Sequence, residues 1–302
     1  MLKKVLVLYY SQTGQLGDIV DSFVQPIVRS GATVEKVNVK PENDFEFPWS
    51  GKKFFDAMPE SVLAIPQKLQ PFELKEEKYD LIIFAYQPWF LSVSIPANSI
   101  LEDEQVMKVM RDTAVITLIG ARNMWLSSQE KLKKRLNSIG AKLVGNIALV
   151  DKNSNLTSAV TIMHWMFNGR KDSYLGIFPK PGIAYEDIQN TAAFGDTVST
   201  FLQKGNFDSL QQELVKQHAV DVKTNLMFIE ERAPKLFSIW ASIIIKRKNR
   251  QLWLNIFKYY LLFALFIVAP IVLTFYNLFF RPFMSKSIAK KKLYYSGLKS
   301  SL

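Results

Sequence analysis

Five apolar runs punctuate the first half of the chain, and stretches of helical spacing separate most of them. Residues 5–10 (VLVLYY) are rich in β-branched and aromatic side chains, and the absence of alternation implies a strand buried on both faces. The polar loop Ser11-Gln12-Thr13-Gly14-Gln15 ends this run, and residues 16–28 then place apolar side chains at helical spacing. Residues 33–39 alternate as a second strand. Residues 79–86, 114–119 and 142–150 read as three more strands, with helices expected over 97–111 and 127–139. Alternating strands and helices predict an α/β fold, a parallel sheet covered on both faces. Beyond the fifth strand the spacing predicts helices over 156–168, 187–203 and 208–216.

Two stretches break this rhythm. Residues 41–66 carry Pro41, Phe45, Phe47, Pro48, Trp49, Phe54, Phe55, Met58, Pro59 and Pro66. That is too long for an ordinary strand–helix connection. It reads as a structured excursion, which either covers part of a site or packs as a surface insertion. Residues 259–280 form an uncharged run of 22 residues, roughly 33 Å as a helix and long enough to cross a bilayer. A second apolar patch, residues 236–245, precedes it. With basic residues on both sides and Pro270 at its centre, the run fits a kinked single span or a hairpin that dips in and returns. A soluble helical hairpin is the remaining alternative.

Composition removes several chemistries. The chain has 302 residues, no cysteine and two histidines, His164 and His218. Disulfides, thiolate nucleophiles and zinc–thiolate centres are excluded, and no metal site is expected. Residues 226–302 hold 13 Lys/Arg against 2 Asp/Glu, so the net charge of +11 belongs to the C-terminal segment. That favours a lipid surface as partner and argues against nucleic acid. The apolar stretch behind Met1 is too short for a signal peptide, so the cytoplasmic face of the inner membrane is the expected location.

Candidate chemistry begins at the loop after the first strand. A glycine-containing, hydroxyl-rich turn at a helix start can hold a phosphate without a basic residue, and none lies within 11–17. Ser11-Gln12-Thr13-Gly14-Gln15-Leu16 resembles the flavodoxin phosphate loop, which holds the phosphate of FMN; Leu16 stands where that family has a hydroxyl. The resemblance implies a flavodoxin-like sheet of order 2-1-3-4-5, with FMN at the switch point between the first and third strands. The loops after the third and fourth strands should then face the same ligand. They read QPWFLSVSIP and GARNMW. The first resembles the flavodoxin-superfamily loop that lays an aromatic against the flavin ring. The expected cofactor residues are therefore Ser11, Gln12, Thr13, Gly14 and Gln15, then Pro88, Trp89 and Phe90, then Gly120, Asn123 and Trp125. Trp89 and Trp125 are expected on exposed loops. His164, ending an apolar helix, is the candidate acid–base catalyst. Tyr174, Tyr185, Lys171 and Asp172 are weaker candidates.

Longer stretches are more specific. KKVLVLYYSQTGQL, PENDFEFPWSGKKFFDAMPES, FAYQPWFLSVSIP and GRKDSYLGIFPKPG together resemble the DarA-like family of dialkylresorcinol-biosynthesis proteins, also described as condensing enzymes. The resemblance covers roughly the whole chain and implies a role in bacterial dialkylresorcinol or flexirubin-type pathways. A partner ketosynthase there builds a cyclohexanedione, which a DarA-like aromatase converts to the resorcinol. A chain without cysteine suits the aromatase better than a condensing enzyme. The expected organisation is an FMN-binding domain over 1–150, a helical extension forming a substrate pocket over 151–225, and a basic membrane-associated segment over 226–302. The alternatives are a membrane-associated NAD(P)H:quinone-type flavin reductase and a non-catalytic scaffold for the ketosynthase. A homodimer is compatible with all of these.

Overall fold

Strand β3 (Leu81–Tyr86, LIIFAY) has no exposed residue, which makes it the centre of the sheet. The computed structural model describes residues 2–299. Parallel ladders join β3 to β1 (Lys4–Tyr9) and to β6 (Ala114–Ala121). The sheet continues outward to β2 (Thr33–Asn38) on one side and β7 (Lys142–Val150) on the other. Two-residue strands β4 (Pro88–Trp89) and β5 (Ser92–Val93) form a small separate hairpin. The order β2-β1-β3-β6-β7 is the 2-1-3-4-5 arrangement of a flavodoxin-like fold.

Alternation along the strands divides the core into two. Leu6, Leu8, Ile82, Phe84 and Tyr86 face one layer, with α4 (Ile95–Glu102), α5 (Glu104–Met110) and α6 (Leu126–Ile139). Val5, Val7, Leu81, Ile83 and Ala85 face the other, with α1 (Gln15–Arg29). Each side chain points opposite to its neighbour, so one apolar run serves both faces.

Several boundaries differ from the expectation. The helix expected over 97–111 is two helices, because Asp103 leaves helical geometry and its carboxylate accepts from Val106 N to cap α5. The helix expected over 187–203 is α8 (Tyr185–Gln189) followed by α9 (Thr191–Lys204). The fourth strand runs two residues further than its apolar run, so Gly120 lies in β6 rather than in the loop.

Past β7, the chain does two things. α7 (Asn155–Asn168) stands over the end of the sheet, whereas α9 and α10 (Leu210–Lys216) join the α1 layer through Val198, Leu202, Leu210 and Leu214. Residues 151–190 are thus an insertion before the helix that completes the sheet's cover. In the excursion, α3 (Met58–Val62) packs beneath α12 (Ala233–Ile244), and α2 (Gly51–Asp56) against the helix that starts at Arg250. The C-terminal segment continues through α11 (Thr224–Glu230), α12 and one long helix, Arg250–Ser296. That helix contains α13 (Arg250–Phe263), α14 (Ala269–Phe275) and α15 (Ser285–Ser296), with π-helical turns between the first two and after the second. It is long and apolar enough to cross a membrane.

Candidate functional site

β1 delivers the chain into a tight turn, and Gly14 at φ +87° starts α1. Ser11 Oγ accepts from Gly17 N at 3.1 Å, and Thr13 Oγ1 accepts from Gln15 N at 3.4 Å. Two amides at the start of α1 are satisfied by these hydroxyls, whose own hydrogens have no protein acceptor among the described residues. They can donate to an anion beside the helix N-terminus.

Two glutamines fasten this loop. Gln12 Nε2 donates to the carbonyls of Phe45 and Glu46 at 3.4 Å each, tying it to the excursion. Gln15 Nε2 donates to Ile183 O at 3.1 Å, while its Oε1 accepts from Ile183 N at 3.2 Å. The loop is therefore clamped between the excursion and the insertion after β7.

A cleft of about 230 Å³ opens beside it. Gln12, Thr13, Gln15 and Leu16 line one part, and Pro88, Trp89 and Phe90 another. Gly120, Ala121 and Arg122 come from the end of β6, and Ile162, Met163, Trp165 and Met166 from α7. Trp49 and Phe54 complete it, so the excursion covers part of the site. This is the crevice at the carboxyl ends of β1, β3 and β6, where the strand order reverses. Ser11 and Gly14 shape the loop without lining the cleft.

The walls are aromatic and preorganised. Trp89 meets Phe45 at 4.8 Å and Trp49 at 4.9 Å between ring centres, both edge-on. Trp49 N donates to Met166 O at 2.8 Å, joining the excursion to α7. The Trp49 indole N–H is buried without an acceptor among the described residues. Such a group in a cleft wall can donate to a carbonyl or ring nitrogen of a ligand.

Arg122 is the single charged side chain among the described lining residues. Its Nη1 donates to Asn155 O at 2.9 Å and Ser158 Oγ at 3.2 Å. Burial pushes its pKa down to about 10, against the opposing pull of Asp151 and Glu230, so it stays a cation at neutral pH. Lys171 lies outside the cleft, its Nζ 5.0 Å from the Trp165 ring centre. Burial lowers its pKa, and Asp18 in the first turn of α1 opposes that shift.

Three expected site residues lie elsewhere. Trp125 is 2% exposed and packs in the core with Leu126 and Leu132, because it enters α6 facing the sheet. Asn123 Nδ2 donates to Asn155 Oδ1 at 3.0 Å and Ser158 Oγ at 3.2 Å, holding the start of α7 rather than facing the cleft. His164 sits on the side of α7 away from the cleft. Its Nε2 lies 3.0 Å from Asp172 Oδ1 and its Nδ1 3.2 Å from Asn168 Nδ2, and its ring stacks near Tyr174. With both nitrogens occupied, it fastens the loop after α7 and does not reach the cleft. Trp89 is also a correction: at 8% exposure it is a buried wall, not an exposed-loop ring.

Trp49, Phe54, Arg122, Met163, Trp165 and Met166 were not among the expected site residues, yet they line the cleft. Arg122 could have been singled out as the only basic residue in the three switch-point loops. Met163 and Met166, inside the mostly apolar stretch 162–167, carry no comparable sign.

No family model matches the chain, and no curated protein matches it in sequence. Solved structures do match in part. A flavoprotein in complex with FMN from Lactobacillus acidophilus NCFM is 19% identical at TM-score 0.40, covering 48% of this chain and 93% of that one. A flavodoxin from the domain Archaea is 9% identical at TM-score 0.37, covering 66% and 99%. A flavone reductase is 10% identical at TM-score 0.37, covering 66% and 63%. The strand order, rather than these similarities, fixes the fold.

Proposed function

We propose that this chain is an FMN-dependent oxidoreductase that aromatises a lipophilic cyclic dione, as the DarA-like resemblance implies. The observation that carries the reading is the cleft at the switch point, with aromatic walls, one half-buried cation and a hydroxyl-lined turn at a helix start on one side. A cleft of about 230 Å³ is below the usual size for a whole drug-like ligand, and it suits the ring end of the cofactor. The phosphate end would lie on the open turn, with the Ser11 and Thr13 hydroxyls as donors. The unpaired Trp49 N–H offers a further bond to the ring.

Bound FMN supplies a two-electron acceptor. Conversion of a cyclohexanedione to a resorcinol removes two hydrogens, which would leave as a hydride to that acceptor and a proton to solvent. Reoxidation of the bound group would need dioxygen or a quinone. Enolisation between the two carbonyls is easy, but the hydrogens lost would be a proton from the ring carbon on the far side of one carbonyl and a hydride from the carbon next to it. Arg122 supports this step by holding negative charge on the enolate oxygen in a low-dielectric wall. Trp165, Met163 and Met166 offer apolar packing for an alkyl substituent.

The test is anaerobic mixing of the FMN-loaded protein with a synthetic dialkylcyclohexanedione. The expected result is loss of the yellow flavin band with stoichiometric resorcinol, slowed in Arg122→Gln without loss of FMN. Bleaching by NADH or NADPH but not by the dione would replace this reading with the quinone-type reductase. Purified protein that neither carries nor binds FMN would replace it with the ketosynthase scaffold.

A further inference from the structure

The apolar C-terminal run is fastened to the sheet domain at both ends. At its start, Arg250 Nη1 and Nη2 pair with the two oxygens of Glu60 at 2.7 and 2.6 Å, and its Nε with Asp56 at 2.8 Å. Beyond the run, Lys291 pairs with Glu231 at 2.7 Å and Tyr294 donates to Glu130. Gln211 Nε2 donates to Ser296 O at 2.8 Å. In between, Phe257 packs on Phe237, and Tyr276 on Phe228 at 4.2 Å, so the helix runs back along α12 and α11. A helix crossing a bilayer would carry Arg250 and Lys291 to opposite sides. One of the two sets of contacts with the same domain would then be lost.

The outward side of this helix is an unbroken apolar stripe. Ile256, Tyr259, Phe263, Ile267, Ile271 and Phe275 are all exposed, three or four residues apart. In a regular α-helix a four-residue spacing drifts around the axis; the wider π-helical turn between α13 and α14 counteracts the drift. Lysines stand at both ends of the stripe, Lys246 and Lys248 before it and Lys286, Lys290 and Lys292 after it, all exposed. On α12 and just past it a shallow groove combines Ile239 and Ile243 with Ser242, Lys246 and Arg247, an apolar floor beside a hydroxyl and two cations.

We infer that residues 250–296 lie in the plane of an anionic bilayer surface, with both flanks on the side that holds the sheet domain, and do not cross it. Opposite charge favours acidic headgroups, and the length of the stripe favours burial to acyl-chain depth. This inference is independent of what the cleft binds.

The test uses the absence of native cysteine. Lys248→Cys, Lys290→Cys and, as a marker of the domain's side, Glu77→Cys are made separately in the full chain, all at exposed positions. Each is treated with a membrane-impermeant maleimide in inside-out membrane vesicles before and after detergent. The expected result is equal labelling of all three before detergent. Flotation of the purified chain should be about tenfold or more stronger with phosphatidylglycerol vesicles than with phosphatidylcholine alone. Labelling of Lys248→Cys and Lys290→Cys from opposite sides, or any other pattern, overturns the inference. So does failure to float with either vesicle alongside concentration-dependent self-association, which would assign the stripe to a second copy.

Discussion

Gly182→Ala probes how the insertion after β7 is seated on the phosphate loop. Gly182 has φ +83°, and a β-carbon there would stand 2.7 Å from Trp165 Cζ3 and 2.9 Å from Gln15 Oε1. Its amide also donates to Asp151 Oδ2 at 3.3 Å, so the segment cannot slide freely. The left-handed backbone costs an alanine about 1–2 kcal/mol. Overlap with a packed ring adds about 1–3 kcal/mol, and the stiffer unfolded chain returns about 0.4–1 kcal/mol. The net expectation is a loss of about 2–4 kcal/mol. Trp165 is pressed toward the cleft, so FMN affinity should fall as well. Urea unfolding in detergent micelles, followed by far-ultraviolet circular dichroism, measures the stability change. Trp165→Phe removes the atom that the new methyl meets. In a double-mutant cycle it should cancel the part of the overlap that Trp165 contributes and leave the Gln15 contact with the backbone share of about 1–2 kcal/mol. A Gly182→Ala protein within about 0.5 kcal/mol of the parent, or no coupling with Trp165→Phe, would refute this account of the clamp.

Three further outcomes follow from the site. Thr13→Ala removes one hydroxyl donor from the loop and should weaken FMN binding about tenfold, read from quenching of flavin fluorescence; unchanged affinity counts against the turn as the phosphate cradle. His164→Ala should lower thermal stability through loss of the Asp172 and Asn168 contacts while leaving dione-driven flavin reduction intact. A fall in that rate by about a hundredfold would restore His164 as the base. Glu230 is buried where it accepts from Leu126 N at 2.7 Å and Ser127 N at 3.4 Å, and burial raises its pKa from 4.5 to about 8 against those amides. The folded chain then holds a proton that the unfolded chain has released between these values. Stability should therefore be highest below about pH 4.5 for this group, fall through the window, and level off above pH 8. Glu230→Gln keeps an acceptor and should remove that slope from urea unfolding measured between these pH values.

Much of this molecule is written locally. The five strands, the turn at Ser11–Gln15 and the position of the switch point follow from runs of a few residues, because strand burial and helix starts are short-range properties. The apolar run at 259–280 and the basic ends around it are equally legible, since length and charge need no partner. The excursion over 41–66 announces itself by aromatic density, though its place over the cleft does not.

What the sequence could not supply was direction. Trp125 and Trp165 have similar local surroundings, yet one faces the sheet core and the other the cleft, because one enters α6 beneath the layer and the other lies on α7 above it. His164 is adjacent to a lining residue, and one step around the helix turns it toward Asp172 instead. Arg122 gains its meaning from burial against Asn155 and Ser158, contacts made across more than thirty residues. The same holds at the C-terminus. Hydropathy determines that residues 259–280 seek an apolar environment, but contacts such as Arg250 on Glu60 and Tyr294 on Glu130 tie both ends to one domain. Local patterns are set by neighbours along the chain, whereas the face a side chain presents is set by whatever distant segment packs against it.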